Sequence, residues 1–280
     1  MGTQLIAHGV QPGKCSELLN IESPGLVMRI HKAYLQAGSD AIITNTFGGN
    51  GFTLARHGLA NRLVEINTAA AHLARKAAGP DNYVLGDIGP SGDFLEPLGH
   101  LKPDQLTTAF YNQAKALLAG GVDGIIIETM SAIDEAVLAI KAAKSVGPDL
   151  PVLASMSFDK RGNDFRTMMG VTVETAVSAL ISAGADVVGF NCGSTTLNEY
   201  VELAIKFVES VRAASKNILV LAEPNAGKPE LLDGKTVYKV TPDEFADAAQ
   251  KIYEAGVTII GGCCGTSPDH ITALSQKLRA

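Results

Sequence analysis

The sequence of 280 residues contains no tryptophan, and aromatic residues make up only 5% of it. Charged residues are also few, at 19%, and the formal net charge is −6. No cluster of lysine and arginine offsets this acidity, so a nucleic-acid partner is not expected. The low charge and the hydrophobic content of 46% suit a compact enzyme better than a disordered protein.

Long apolar segments and targeting signals are lacking as well. No apolar run approaches the roughly 18 residues that a transmembrane helix needs. The N-terminus has no basic stretch followed by an apolar one, which a secretory signal would show. We therefore expect a cytoplasmic protein with no membrane partner. In a reducing compartment, its four cysteines are more often ligands, nucleophiles or core residues than disulfides.

A short phrase recurs four times, at residues 37–43, 120–126, 183–188 and 255–260. In each case an amphipathic segment leads to a glycine, and a continuous apolar run follows. The glycine is typical of the left-handed residue that ends a helix. The run is typical of a strand that is buried on both faces of a parallel sheet. The chain is therefore predicted to alternate strands and helices.

This pattern predicts seven strands and eight helices. The strands are expected at residues 41–44, 83–87, 124–128, 152–157, 187–191, 218–223 and 257–261. The helices are expected at residues 24–37, 62–78, 104–118, 131–146, 173–183, 197–214, 243–254 and 268–278. No linker divides the chain, so one α/β barrel domain over residues 1–280 is predicted.

The predicted barrel is one strand short, because a closed TIM (β/α)₈ barrel needs eight strands. The opening Met1-Gly2-Thr3 is typical of a loop that follows a strand. We therefore expect the first strand to be missing or truncated at the N-terminus.

Cysteines follow two of the predicted strands. Asn191-Cys192-Gly193 ends one strand, and Cys263-Cys264 lies between glycines after the last strand. In a parallel barrel the carboxyl ends of all strands share one face, where active sites are built. The three thiols are therefore predicted to meet at the barrel mouth, whereas Cys15 lies outside any strand end and is interpreted as incidental.

Three cysteines at one place predict a zinc site. Three protein ligands leave a fourth position open, which is typical of catalytic rather than structural zinc. Zinc lowers the pKa of a bound thiol from about 8.5, so that a thiolate forms at neutral pH. Because three thiolates already offset the charge of the metal, a fourth, substrate thiolate stays nucleophilic. The pattern favours activation of a substrate thiol over activation of water.

Other interpretations of these residues are open. Cys263 and Cys264 could be small core residues or a redox disulfide, and the disulfide would leave Cys192 unexplained. The glycine-rich segment at residues 261–266 is also compatible with the phosphate site of a barrel lyase or aldolase, although no lysine or arginine lies nearby.

Three carboxylates also end predicted strands, namely Asp87, Glu128 and Glu223. Each could bind a ligand, and each could equally order a loop or pair with a neighbouring group. The residues alone do not separate these roles.

Specific motifs run through essentially the whole chain: Met1-Gly2-Thr3-Gln4, Leu19-Asn20, Ile30-His31-Lys32-Ala33-Tyr34, Ala37-Gly38, Thr44-Asn45-Thr46-Phe47, Gly86-Asp87-Ile88-Gly89-Pro90, Glu128-Thr129, Gly189-Phe190-Asn191-Cys192, Glu223-Pro224-Asn225-Ala226-Gly227 and Gly261-Gly262-Cys263-Cys264-Gly265. Together they resemble the homocysteine S-methyltransferase family. They are most similar to the homocysteine-binding domain of cobalamin-dependent methionine synthases.

The resemblance implies a TIM barrel in which Cys192, Cys263 and Cys264 bind zinc, and in which the zinc binds the homocysteine thiolate. It further implies that Asn225 can occupy the fourth position on zinc when substrate is absent.

For the rest of the substrate, the resemblance implies that Glu128 receives the amino group and that backbone near Gly2 and Thr3 helps to hold the carboxylate. We also place Asn191 in the predicted substrate site. The family pattern has an Asp-Gly pair before Met-Gly-Thr, and this chain begins at Met1 without it.

The methyl donor is predicted to be a methyl-corrinoid protein, and the product methionine. S-methylmethionine and betaine are alternatives, but the lack of tryptophan disfavours an aromatic cage for an amine, with Phe47 and Phe158 the main aromatic candidates. The chain lacks an Asp-x-His-x-x-Gly phrase for cobalt ligation, so cobalamin is expected only on a separate partner. A non-catalytic subunit of a methyl-transfer complex is the non-enzymatic alternative.

Overall fold

The computed structural model describes residues 1–215, 217–232 and 235–279. The helices are α1 (Gly2–Ala7), α2 (Leu19–Glu22), α3 (Pro24–Gln36), α4 (Gly51–Ala55), α5 (Leu63–Ala78), α6 (Pro103–Ala119), α7 (Ile133–Val146), α8 (Val173–Ala183), α9 (Leu197–Ala214), α10 (Pro242–Glu254) and α11 (Pro268–Arg279). The strands are β1 (Ala41–Ile43), β2 (Tyr83–Ile88), β3 (Gly124–Met130), β4 (Val152–Met156), β5 (Asp159–Arg161), β6 (Asp164–Arg166), β7 (Val187–Asn191), β8 (Leu219–Glu223), β9 (Glu230–Leu232), β10 (Lys235–Val237) and β11 (Ile259–Ile260).

Seven strands form one parallel sheet in the order β1-β2-β3-β4-β7-β8-β11. Their order across the sheet is their order along the chain, which is the winding of a TIM barrel. The sheet curls into a half-barrel, and among the described residues no strand pairs with both β11 and β1 to close it. This incomplete TIM barrel confirms the predicted fold class.

All seven predicted strands and all eight predicted helices are present, and their ends agree within two residues. The prediction of a loop at Met1-Gly2-Thr3 is wrong from Gly2 onward, because α1 begins there. The N–H of Leu5 donates to the carbonyl of Met1 at 3.1 Å, and the buried Leu5 side chain anchors this helix. Two short hairpins, β5–β6 and β9–β10, were not predicted.

The helices pack their apolar faces against the outside of the sheet. Thr196 and Thr241 are the N-cap residues that precede α9 and α10, and their hydroxyls accept the N–H groups of Glu199 and Glu244 in capping boxes. In the part of the chain that the structure describes, no helix is long and apolar enough to cross a membrane.

The recurring phrase marks the junctions from helix to strand, as predicted. Its glycines, at positions 38, 121, 184 and 256, all have φ between 90 and 109°. Residues with a side chain rarely adopt this left-handed backbone conformation, so a glycine at this position ends each helix with little strain.

The aspartates that follow two of these glycines bind a neighbouring strand. Asp123 Oδ2 accepts the N–H of Val84 at 2.7 Å. Asp186 Oδ2 accepts the N–H of Val152 at 2.8 Å and the ammonium of Lys144 at 2.7 Å. The phrase therefore ends a helix and also holds the start of the adjacent strand.

Each strand of the sheet contributes one inward side chain to an apolar layer, formed by Ile43, Leu85, Ile126, Leu153, Val187, Leu221 and Ile259. Because side chains alternate along a strand, residues two positions further also face inward. These residues are Asn45, Asp87, Glu128, Ser155, Gly189, Glu223 and Gly261. A layer rich in polar side chains therefore lies above the apolar layer, at the carboxyl ends of the strands.

Candidate metal and substrate site

Three thiols meet at the mouth of the half-barrel. Cys192 directly follows β7, and Cys263 and Cys264 follow β11. The Sγ atoms of the three cysteines all lie within 4.8 Å of one another. The fourth cysteine, Cys15, lies elsewhere, with its Sγ 3.3 Å from a carboxylate oxygen of Glu17. The structure thus brings together the three cysteines that the sequence singled out and leaves out the one it set aside.

The spacing of the thiols fits one zinc ion. Zinc–sulfur bonds of about 2.3 Å in a tetrahedral site place sulfurs about 3.8 Å apart. The Sγ atoms of Cys263 and Cys264 are 4.0 Å apart. Hydrogen bonds from Cys192 and then Cys263 lower the pKa of Cys264 to about 3, so the cluster already favours one thiolate.

The loop of Cys192 is held in an uncommon conformation. Cys192 has φ of 57°, in the left-handed region that non-glycine residues seldom occupy. Its carbonyl accepts the hydroxyl of Tyr200 at 2.7 Å, and the Tyr200 ring stacks on Phe190 with centroids 6.3 Å apart. Buried contacts therefore fix the direction in which the thiol points, as is common where backbone strain occurs at functional sites.

Asn225 links the two cysteine loops. Its Oδ1 accepts the N–H of Cys264 at 3.0 Å, and its Nδ2 donates to the carbonyl of Gly193 at 2.8 Å. The same nitrogen lies 4.0 Å from Sγ of Cys192. Asn225 is therefore next to the thiols, although its role as a fourth metal ligand stays a prediction.

Below the thiols, three inward carboxyl groups share the polar layer. Asp87 and Glu128 are buried, with 3% and 7% of their surface exposed, and Glu223 is half-buried. Burial raises the pKa of all three, that of Glu223 to about 8, and the charge of Glu128 adds to the effect at Asp87 and Glu223. Such perturbed groups in a cavity are typical of ligand sites.

Asn191 connects this acidic layer to the thiols. Its Nδ2 donates to Oε2 of Glu128 at 2.7 Å and lies 3.6 Å from Sγ of Cys263. Its Oδ1 accepts the N–H of Thr129 at 2.7 Å and the hydroxyl of Ser155 at 2.8 Å. The Asn191 side chain is wholly buried, so its hydrogen bonds are made to neighbouring protein groups and hold those groups in place.

One cavity of about 370 Å³ joins the thiols to the acidic layer. The predicted substrate residues Gly2, Thr3 and Glu128 line it together with the three cysteines, whereas Asn191 lies behind its wall. The Thr3 hydroxyl accepts the N–H of Gly265 at 3.0 Å, which ties α1 to the cysteine loop. No lysine or arginine is among the described residues that line the cavity, so a phosphate site has no cationic side chain to support it.

Comparison with known proteins decides the family. The sequence profile described as homocysteine S-methyltransferase matches residues 1–278 of the chain. The chain belongs to the homocysteine S-methyltransferase family. This membership confirms the family and the class of methyltransferase enzyme that the motifs predicted.

Two curated members of the family illustrate the relationship. The methionine synthase of Mycobacterium tuberculosis is 34% identical over 299 residues, which covers 99% of this chain and 24% of the relative. That of Mycobacterium leprae is 33% identical over 277 residues, with 94% and 22% covered. The chain thus spans about a quarter of the length of these relatives.

The fold has a close match among solved structures. The metallated form of the homocysteine methyltransferase MmuM from Escherichia coli has a TM-score of 0.78 and 23% identity, covering 100% of this chain and 94% of that one. The apo form of the same protein has a TM-score of 0.73 and 22% identity, covering 99% and 93%. At this level of identity the likeness establishes the fold.

Two residues of the candidate site were not assigned a role from the sequence. Thr129 has φ of 57°, and its hydroxyl donates to Oε2 of Glu128 at 3.1 Å. Tyr200 supports Cys192, but it stands at an apolar position of α9 and is indistinguishable from a core residue by periodicity. Only the position of Thr129 directly after a strand-end carboxylate offered a signal.

Proposed function

We propose that this chain is a zinc-dependent domain that transfers a methyl group to homocysteine and so forms methionine. The observation that carries the proposal is the trio of Cys192, Cys263 and Cys264, whose sulfurs lie within 4.8 Å of one another above an acidic cavity. Membership of the homocysteine S-methyltransferase family and the likeness to two methionine synthases support it.

The three thiols are the residues that would hold the metal. Zinc bound by three thiolates supplies a fourth coordination position at which a substrate thiol ionises at neutral pH. The protein contributes a fixed direction for each ligand, through the left-handed Cys192 and through Asn225, which joins the two loops. Orienting the thiol against its methyl donor in this way should supply much of the rate.

The remainder of the cavity suits the amino-acid part of homocysteine. Glu128 offers a carboxylate to the ammonium group, and Asn191 and Thr129 hold one of its oxygens in place. The backbone of Gly2 and Thr3 lines the same cavity and would meet the substrate carboxylate.

We further propose a methyl-corrinoid protein as the donor, with cobalamin carried only by that partner. The methionine synthases that the chain resembles extend well beyond the matched quarter. In this chain, loops that follow the strands expose apolar side chains at the mouth: Phe47, Phe94, Leu98, Met168, Met169, Leu231 and Leu232. Exposed apolar surface of this kind favours contact with a protein over a small polar donor.

A small cationic donor is the second candidate. A sulfonium or a quaternary amine, such as S-methylmethionine or betaine, would favour ionisation of the three carboxyl groups in the cavity, whose pKa is raised by burial. The aromatic faces that often surround such cations are few, because the chain has no tryptophan.

A donor panel tests the proposal. The zinc-loaded chain is incubated with homocysteine and, separately, a methylated corrinoid protein, free methylcobalamin, S-methylmethionine or betaine, and methionine is measured. We expect methionine with the corrinoid donor, none with Cys263→Ser, and full activity with Cys15→Ser as the matched control. Formation of methionine with a small cation alone would overturn the choice of donor. A zinc-bound chain that is inactive with every donor would indicate a non-catalytic subunit.

A further inference from the structure

Asp87 carries a buried oxygen that no described residue satisfies. It lies near the carboxyl end of β2, faces inward above Leu85, and has 3% of its surface exposed. Its Oδ1 has no hydrogen-bond partner, and the residue lines the cavity that holds the thiols. A buried polar atom without a partner costs about 1–3 kcal/mol, so its retention needs a reason.

The backbone of Asp87 is fully held, which fixes where the side chain projects. Its N–H donates to the hydroxyl of Thr44 at 2.9 Å. Its carbonyl accepts the hydroxyl of Thr46 at 2.7 Å and the amide of Gln113 at 3.3 Å. The point from which the Asp87 carboxyl group projects beside the cavity is therefore fixed.

The cavity has an excess of acidic groups. Asp87, Glu128 and Glu223 line it, and His31 is its one basic side chain among the described residues. Burial lowers the pKa of His31 to about 4, so this side chain is neutral at neutral pH. A zinc ion on the cysteines would offset their thiolates. Among the described lining residues, the three carboxyl groups would then face one cation, the N-terminal ammonium of Met1, which opposes the effect of burial on their pKa.

Glu128 cannot satisfy an ammonium group by itself. Its Oε2 already accepts the amide of Asn191 at 2.7 Å and the hydroxyl of Thr129 at 3.1 Å. An ammonium has three N–H donors, and the Glu128 carboxyl group also forms a hydrogen bond with Asp87, so Glu128 alone offers too few acceptors for them. Asp87 lies against Glu128 on the adjacent strand: burial first, then the charge of Glu128 and a hydrogen bond between the two side chains, raise the pKa of Asp87.

We infer that Asp87 is a second carboxylate for the substrate ammonium, and that its carboxyl group and that of Glu128 hold the cation between them. The inference rests on the proposed function and deepens it, because it makes Asp87 a determinant of specificity for α-amino thiols. A cation between the two groups removes the repulsion that otherwise opposes their joint ionisation.

Calorimetric titration of the zinc-loaded chain tests this. Homocysteine is compared with 4-mercaptobutanoate, which keeps the thiol and the carboxylate but lacks the amino group. We expect Asp87→Asn to weaken homocysteine binding about tenfold or more and to leave the analogue unchanged. Glu135→Gln is the matched control, because Glu135 is a buried carboxyl group that holds the N–H of Ser91 outside the cavity lining.

Several results would overturn the inference. If Asp87→Asn and Asp87→Ala both still bind homocysteine more tightly than 4-mercaptobutanoate, Asp87 does not bind the ammonium. If Glu223→Gln, and not Asp87→Asn, abolishes this difference in affinity, Glu223 binds the ammonium instead. Equal loss of both ligands in Asp87→Asn indicates a structural role. An unchanged chain that binds neither thiol overturns the proposed function itself, which is a separate result. Zinc content and melting temperature are measured for each variant, and Asp87→Asn is expected to melt no lower than the unchanged chain.

Discussion

The side-chain amide of Asn191 donates to Oε2 of Glu128 at 2.7 Å, and the same nitrogen lies 3.6 Å from Sγ of Cys263. One buried side chain thus sets the position of the carboxylate relative to the thiols. In the proposed reaction these two features bind opposite ends of one small substrate. Asn191 is therefore a positioning residue, since it acts on the substrate through Glu128.

Replacement of Asn191 by alanine should weaken homocysteine binding more than it affects zinc content. The change frees Glu128 and leaves the Thr129 N–H and the Ser155 hydroxyl without their acceptor, which costs about 1–3 kcal/mol per group. We expect an affinity at least about tenfold lower, measured by calorimetry. Ser155→Ala is the control, because it removes one bond to Asn191 and leaves Glu128 in place. Equal affinity in the two variants would contradict this role.

Metal content should depend on three cysteines and not on the fourth. Cys192→Ser, Cys263→Ser and Cys264→Ser each remove one sulfur from the cluster, and zinc binds a set of two thiolates more weakly. After dialysis against a chelator, elemental analysis should find much less zinc in each variant. Cys15→Ser should keep the content of the unchanged chain. Full retention in Cys263→Ser would exclude the proposed site.

The stability of the protein in acid should depend on His31. Burial lowers its pKa from 6.5 to about 4, so below pH 6.5 the unfolded chain binds a proton that the folded chain does not. The contribution to stability is present above pH 6.5 and is lost as the pH falls towards 4, by up to about 3 kcal/mol. Denaturant unfolding at pH 7 and pH 4.5 should show a smaller loss for His31→Leu. His57→Gln, at an exposed histidine, should behave like the unchanged chain; identical pH profiles for all three would refute the prediction.

The aspartate of the recurring phrase should stabilise the sheet where it holds a neighbouring strand. Asp186→Ala removes the acceptor for the Val152 N–H and for Lys144, and we expect a loss of about 1–2 kcal/mol in the free energy of unfolding. The control is Asp40→Ala, whose exposed pair with Arg279 contributes at most about 0.5 kcal/mol. Chemical denaturation measures both. A cost for Asp40→Ala as large as that for Asp186→Ala would show that the strand contact is unimportant.

Much of the fold could be predicted because its signals are local. The helix-ending glycines at positions 38, 121, 184 and 256 and the buried apolar runs after them repeat along the chain, and the structure has the left-handed glycines and the parallel strands at these places. The helix α1 escaped prediction because residues 2–7 are too few to show a helical period. The sequence has a tight-turn pair at each of the hairpins β5–β6 and β9–β10, Gly162-Asn163 and Asp233-Gly234, but the flanking strands of three residues are too short to show an alternating pattern.

The sequence by itself determined the strand order, the family and the three cysteines, since these follow from periodicity and from short motifs. Only the tertiary structure decided that Asn191 joins Glu128 to Cys263, across 63 and 72 residues of chain. It also decided that Asp87 has a free buried oxygen and that Cys192 is left-handed. Such features depend on strand register and on packing around the mouth, where residues far apart in sequence compete for the same few hydrogen bonds.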